Sequence, residues 1–250
     1  MTRILIKLLV TLILLLIAVI PFCLSYYIFS TKISRKISIA TFLIISKFFG
    51  LKVKIEGELA KSRPILLVSN HFSYIDVLAL LNVSLNLRFT PKKEIASWTI
   101  IGSICKMSGC VFIDRNRSKT NDNKIMLDNA FKEDGIIALF PEGTTNEGIE
   151  VLPFKSSYFS IAEENDIAVQ PLSIIYTKLD GKPITKETLP IVGWYGDMEF
   201  FPHLIALLKH KSFEVKLVFH APVKGSDFNS RKELAKYCHD VIQSSFYHNI

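Results

Sequence analysis

The chain has 250 residues, 49% hydrophobic and 21% charged, enough for one substantial core plus an appendage rather than several domains. A net charge of +7 points to an anionic partner. The lysines and arginines are scattered, with no RNA-reading or zinc-finger pattern, so no nucleic acid is expected and anionic lipid is the better match.

The mean hydropathy of +0.31 is high for a fully soluble protein, and the N-terminus accounts for the excess. The 22 residues from Leu8 to Phe29 carry no charge. At about 1.5 Å per residue such a helix crosses a hydrocarbon core of about 30 Å. A secretory signal peptide is the rival reading, but no A-x-A-like site follows, and Pro21 and Phe22 precede Cys23 where a lipoprotein site would need small residues. The segment is therefore expected to be an anchor, with Tyr26 and Tyr27 in its interfacial belt. A second apolar stretch, 37–49, is shorter and contains Lys47. It suits an interfacial or re-entrant helix, or one that packs on the globular part. More cations follow the first segment than precede it, which predicts that the rest of the chain is cytoplasmic.

Beyond Gly50, strands and helices alternate with short joins. Strands are predicted over 52–55, 65–68, 87–90, 110–113, 135–140, 167–176 and 213–220. Helices are predicted over 76–81, 97–107, 119–132, 155–163, 200–208 and 231–246. This alternation implies an α/β fold, a mixed and largely parallel sheet flanked by helices, preceded by the hydrophobic helical anchor. Residues 178–199, rich in Gly, Pro and Thr, form the one loose excursion. Cys23, Cys105, Cys110 and Cys238 show no C-x-x-C and no His/Cys ligand spacing, so they read as packed or free thiols in a reducing compartment, with no metal site.

The chemistry concentrates at strand exits. After the apolar run 64–68 come Asn70-His71-Phe72-Ser73-Tyr74-Ile75-Asp76. On one helix, residues five apart diverge by about 140°, so His71 and Asp76 can meet only if His71 lies in the turn and Asp76 in the first helical turn. Asp76 can then hold one ring nitrogen while the other takes a proton from a hydroxyl. The alternative is a helix cap, since Ser73 to Asp76 is close to a capping box. Further along, Asp114-Arg115 ends a buried run, and the guanidinium offers a planar fork for phosphate; an ordinary surface ion pair is the plainer reading. The strand at 135–140 exits into Pro141-Glu142-Gly143-Thr144-Thr145, where Gly143 permits close backbone approach and the hydroxyls can bind oxyanions. Lys92 and Lys93 follow a third strand and can steady developing negative charge, unless they are simply solvated. Exits at one sheet edge converge on one cleft. No G-x-S-x-G, H-E-x-x-H, G-x-x-x-x-G-K-[ST] or G-x-G-x-x-G occurs, so a base without a protein nucleophile implies that the substrate supplies the attacking hydroxyl.

Four ordered blocks, NHFSYID, GCVFIDR (109–115), FPEGTT (140–145) and VQPLSI (169–174), resemble the motifs of the glycerolipid acyltransferases, the group of the lysophosphatidic acid acyltransferases. Lys92-Lys93-Glu94 and Gly102 fit the stretch between the first two blocks, and the set runs from about residue 64 to 176. The resemblance implies an enzyme that moves a fatty acyl group from acyl-CoA or acyl carrier protein, its co-substrate, to a lysophospholipid hydroxyl, with no permanently bound cofactor. The acceptor it implies is 1-acylglycerol-3-phosphate, the product phosphatidic acid; a related alternative is another lysolipid such as lyso-ornithine lipid. It assigns His71 as general base, Asp76 as its orienter and Arg115 to the acceptor phosphate. Glu142, Gly143 and Thr144 shape the acceptor site, and Lys92 polarises the thioester. Residues 1–50 are then the membrane anchor and 51–250 the catalytic domain, and the bilayer is a partner. Pro91 and Trp98 depart from the family's usual residues, in the region that sets acyl-chain length. Trp194 to Met198 with Pro202 and His203 resemble a bacterial subgroup, which places the protein at a bacterial inner membrane. A non-catalytic lipid-binding protein is the competing class, against which the intact His71 and Asp76 argue.

Overall fold

The structure, a computed structural model, describes residues 31–98, 102–103, 105–106, 108–112, 125, 129–132, 135–165 and 167–247. The predicted anchor at 8–29 lies outside them, and no helix among the described residues is long and apolar enough to cross a membrane.

The described elements begin with α1 (Thr31–Phe48), β1 (Leu51–Glu56), β2 (Ile65–Ser69), α2 (Ile75–Leu80), β3 (Leu87–Phe89) and a 3-10 turn at Lys93–Ser97. They continue with β4 (Ile136–Leu139), a 3-10 turn at Ser156–Phe159, α3 (Ser160–Asn165), β5 (Ala168–Leu179), β6 (Lys182–Pro183), α4 (Leu189–Val192) and α5 (Phe200–Leu208). The last are β7 (Phe213–Phe219), β8 (Val223–Lys224), a 3-10 turn at Gly225–Asp227 and α6 (Arg231–Tyr247). The main sheet runs β1-β7-β5-β2-β4-β3, with β6 and β8 added against the two ends of β5. β5, β2, β4 and β3 are parallel neighbours, and β7 turns antiparallel to β5 and carries β1 beside it. The expected mixed, largely parallel sheet with flanking helices is present.

Both faces of the sheet are covered, which explains the unbroken apolar runs in the central strands. All five residues of β2 are buried. On one face Ile65, Leu67, Ala138, Leu172 and Ile174 pack with Ile75, Ala79 and Leu80 of α2 and Val192 of α4. On the other, Leu66, Val68, Ile137 and Val169 pack with Phe159, Ile161 and the α6 stripe Leu234, Ala235 and Cys238. The edge strand β1 is charged and mostly exposed, as an unpaired edge requires.

Most predicted elements recur within two or three residues, α5 matches its prediction, and the predicted helix 119–132 lies mostly outside the described residues. Three differ. Residues 110–112 carry no strand ladder: Val111 N donates once, to O of Phe89 (2.9 Å), the last residue of β3, and Ile113 lies outside the described residues. The predicted helix 97–107 is preceded by the tighter turn at Lys93–Ser97, with helical residues at 102–103 and 105–106. The excursion 178–199 holds β6 and α4. The second apolar stretch belongs to α1, which buries Ile39 and Ile45 while Ile33 and Ile44 stay exposed.

The junction of β2 and β5 has an added fastening. Backbone pairing ends at Ser69 and Leu172, and the buried Asn70 side chain continues it: Nδ2 donates to Ile174 O (2.9 Å), and Ile174 N donates to Oδ1 (2.8 Å). An amide presents one donor and one acceptor in the order of a peptide unit, so it mimics another ladder residue just before the chain turns. Asn70→Ala leaves both Ile174 groups buried and unpaired. It should cost about 2–4 kcal/mol of stability, read as a lower denaturant midpoint at unchanged slope.

Candidate active site

β2, β3 and β4 are parallel and in register, Val68 beside Leu139 and Phe89 beside Ala138, so their C-terminal ends open on one edge of the sheet. His71 leaves β2, Lys92 follows β3 and Glu142 follows β4 at that edge. Arg115 lies outside the described residues.

The turn after β2 brings His71 and Asp76 together: His71 Nδ1 is 2.9 Å from Asp76 Oδ2. The same Oδ2 accepts Phe72 N (2.7 Å) and Ser73 N (2.9 Å), the reach-back half of a capping box. Oδ1 accepts the Tyr176 hydroxyl at 2.6 Å. Asp76 is fully buried, and four donors compensate the lost hydration of its carboxylate. Burial and the neighbouring Asp76 hold the Tyr176 phenol well above its ordinary pKa, so it remains a donor. A carboxylate only accepts, so Nδ1 carries the imidazole proton and Nε2 has its lone pair free. The ring stacks on Phe140, centroids 3.9 Å apart at 15°, and its side chain keeps 21% exposure.

Glu142 supports this turn from behind. Its Oε1 accepts His71 N at 2.7 Å, while Oε2 accepts Leu152 N at 3.0 Å and the Asn146 side chain. Buried at 3% exposure, it sits under the turn and reaches the site through the His71 backbone. Burial pushes its carboxyl up to about 7, against the downward pull of those three donors. Thr144 is exposed at the rim. Gly143 has φ +74, and a Cβ there would come within 2.8 Å of Lys155 Nζ. The space beside Gly143 is taken by a lysine that the motif alone does not reveal. Lys92 is exposed at the start of the 3-10 turn.

Two further features escape a motif reading. Tyr176 ends the face of β5 that also presents Leu172 and Ile174 to α2, so strand alternation is the signal that finds it. The excursion crosses the site turn as a strap: Trp194 N donates to Phe72 O (3.2 Å), and the Phe72 ring lies against Gly148 and Gly193, where any Cβ would strike it. Next to it, the Tyr74 ring meets Trp194, Phe200 and His203 edge-on, and its hydroxyl is 3.1 Å from His203 Nδ1. Burial raises the Tyr74 pKa and lowers that of His203, so a protonated phenol donates to a neutral imidazole.

Beside α2 lies an apolar cleft of about 110 Å³, partly open to solvent. Ile39 and Phe42 of α1, Val77 and Leu78 of α2, Leu81 and Phe89 line it. Among the described residues no group of three or more His, Cys, Asp or Glu side chains is placed to hold a metal ion.

A buried acid holding a half-open imidazole at a sheet edge, next to an apolar cavity, suits proton transfer on a substrate with an alkyl chain. The chain belongs to the Acyltransferase family, whose model matches residues 51–175. It is 35% identical over 195 residues to a lyso-ornithine lipid O-acyltransferase of Rhizobium meliloti (strain 1021), an alignment covering 75% of this chain and 66% of that protein. It is 26% identical over 199 residues to a 1-acyl-sn-glycerol-3-phosphate acyltransferase of Neisseria gonorrhoeae, covering 78% and 74%. Its fold matches that of the 1-acyl-sn-glycerophosphate (LPA) acyltransferase PlsC from Thermotoga maritima, with a TM-score of 0.67, 22% identity and coverage of 98% and 97%.

Glu142 makes stability depend on pH. Its pKa rises from 4.5 to about 7 on folding, so its contribution is whole below 4.5 and lost as pH climbs through 7. Between pH 4.5 and 8 the wild type should lose about 3 kcal/mol that Glu142→Gln does not lose, whatever that variant's absolute stability. Denaturant titrations of both proteins across this range measure the difference.

Proposed function

We propose that the protein transfers a fatty acyl group from an acyl thioester, acyl-CoA or acyl carrier protein, to a lysolipid hydroxyl. The observation that carries this reading is the Asp76–His71 pair with Nε2 free at the mouth of the sheet edge. In this mechanism Nε2 takes the hydroxyl proton as the oxygen attacks the thioester carbonyl. The tetrahedral adduct collapses, the C–S bond breaks, and the leaving thiolate takes the proton back from His71. No acyl-enzyme is needed, because the two substrates meet directly. Asp76 fixes the ring tautomer and stabilises the transient imidazolium. Lys92 polarises the thioester carbonyl, and the cavity beside α2 receives an acyl chain. Glu142 acts by holding the His71 backbone, while Gly143, Thr144 and the Lys155 ammonium form the acceptor rim.

For the acceptor we favour lyso-ornithine lipid, whose headgroup is an amino acid, because similarity to the Rhizobium enzyme exceeds that to the lysophosphatidate enzyme. The second reading, 1-acylglycerol-3-phosphate, is supported by the block that ends in Arg115, a residue type suited to phosphate. The bilayer carries either acceptor, and a bacterial inner membrane with the catalytic residues on the cytoplasmic side remains our placement.

His71→Ala should reduce acyl transfer at least ~10²-fold in a thiol-release assay, with the folded state unchanged by circular dichroism; undiminished turnover would remove His71 as the base. On a panel of purified lysolipids the protein should acylate lyso-ornithine lipid in preference to lysophosphatidic acid. The reverse preference would establish the second reading, and turnover of neither would reject both.

A further inference from the structure

The nine residues of α5, FFPHLIALL, include no Asp, Glu, Lys or Arg. One side faces inward, with His203, Leu207 and Leu208 buried. The other does not: Phe201 is 72% exposed and Ile205 43%, one turn apart, with exposed Pro202 beside them. Exposed Lys209 continues the same i, i+4 line, and exposed Lys211 follows it. A helix that is apolar on every side is normally enclosed, and the described chain covers only half of this one.

We propose that the outer stripe of α5, Phe201, Pro202 and Ile205, is an interfacial membrane contact, lying flat at the boundary between headgroups and acyl chains. Nine helical residues span only about 13 Å, far short of a bilayer core of about 30 Å, so α5 lies on the membrane and does not cross it. Three side chains are also far below the roughly 800 Å² per partner of a stable protein interface, which argues against a second copy of the chain as occupant. Burying Phe201 and Ile205 in lipid supplies apolar transfer energy, and Lys209 and Lys211 reach lipid phosphates with their ammonium groups while their stems stay apolar. Asp197 and Glu199, exposed before the helix, offset part of that charge, so the apolar term dominates and the contact persists in salt.

The helix is tied to the site turn through its inner side. The same helix carries Phe200 and His203, which hold Tyr74, two residues before Asp76. A bilayer against α5 would thus rest on the element that braces the turn carrying His71, to which a lipid-borne hydroxyl must come. The inference rests on the lysolipid reading for its purpose, and its first test is independent of it.

The full-length Phe201→Trp variant is reconstituted in vesicles of phosphatidylethanolamine and phosphatidylglycerol with brominated acyl chains. The added tryptophan should be quenched by bromine beyond the quenching shown by the unaltered protein, and shielded from acrylamide, in low and high salt alike. Full acrylamide access without added bromine quenching overturns the proposal, as does shielding that tracks protein concentration rather than lipid. Separately, the Phe201→Ser, Ile205→Ser double variant should raise KM for a vesicle-borne acceptor about tenfold or more while leaving kcat on acceptor in detergent micelles unchanged. An equal loss in both settings counts against it. If no lysolipid is turned over, the acceptor reading fails while the bromine result still decides this one.

Discussion

The site depends on one buried carboxylate. Asp76 takes hydrogen bonds from the His71 ring, the backbone of Phe72 and Ser73, and the Tyr176 hydroxyl. Those donors come from the turn after β2 and from β5, while Asp76 itself opens α2, so a single side chain joins three elements. The capping and orienting roles use the same atom, Oδ2, and need not compete. The cap sets the path of the turn, and the turn brings the imidazole within reach. Losing the carboxylate would strip partners from two buried amides and a buried phenol together, which is why this position is structurally as well as chemically demanding.

Around that point the fold adds restraints of different kinds. Asn70 ties the last residue before the turn to β5 through its amide. Glu142 holds the next residue, His71, by its backbone, and Phe140 limits the ring by stacking. Phe72, clamped between Gly148 and Gly193, anchors the residue after it. Three consecutive strand-exit positions are thus fixed by an amide, a carboxylate, a ring face and steric fit. A partly exposed imidazole keeps its orientation without being buried when its neighbours are restrained in this way.

How much of this was legible follows from the range of each signal. The buried strands announce themselves because β2 and β4 are apolar on both faces, a local property of composition. The meeting of His71 and Asp76 follows from spacing within seven residues. Tyr176 and the strap are different: they lie 100 residues and more from Asp76 in sequence, and only the parallel pairing of β2 with β5 brings Tyr176 to it. Glu142 was legible as a strand-exit residue but not in its place beneath the turn, because motif order does not say which side of a turn a side chain takes. The run 110–112 reads as a strand by its apolar content, yet it makes a single backbone contact, with the last residue of β3, and no ladder follows.

The position of α2 joins the chemistry to the apolar cavity. Its first turn supplies Asp76, and its next residues, Val77 and Leu78, line the cavity, so six residues serve both the His71–Asp76 pair and the wall. A chain seated against Val77 and Leu78 would begin within one helical turn of the group that holds His71. Distance along a rigid helix then fixes where a carbonyl at the head of that chain can lie relative to Nε2. The other face of α2, through Ile75, Ala79 and Leu80, is locked into the sheet core. Were an acyl chain to seat there as proposed, this side of the wall would not shift to admit a bulkier one without moving the aspartate, so chain selection and alignment for reaction would be mechanically linked.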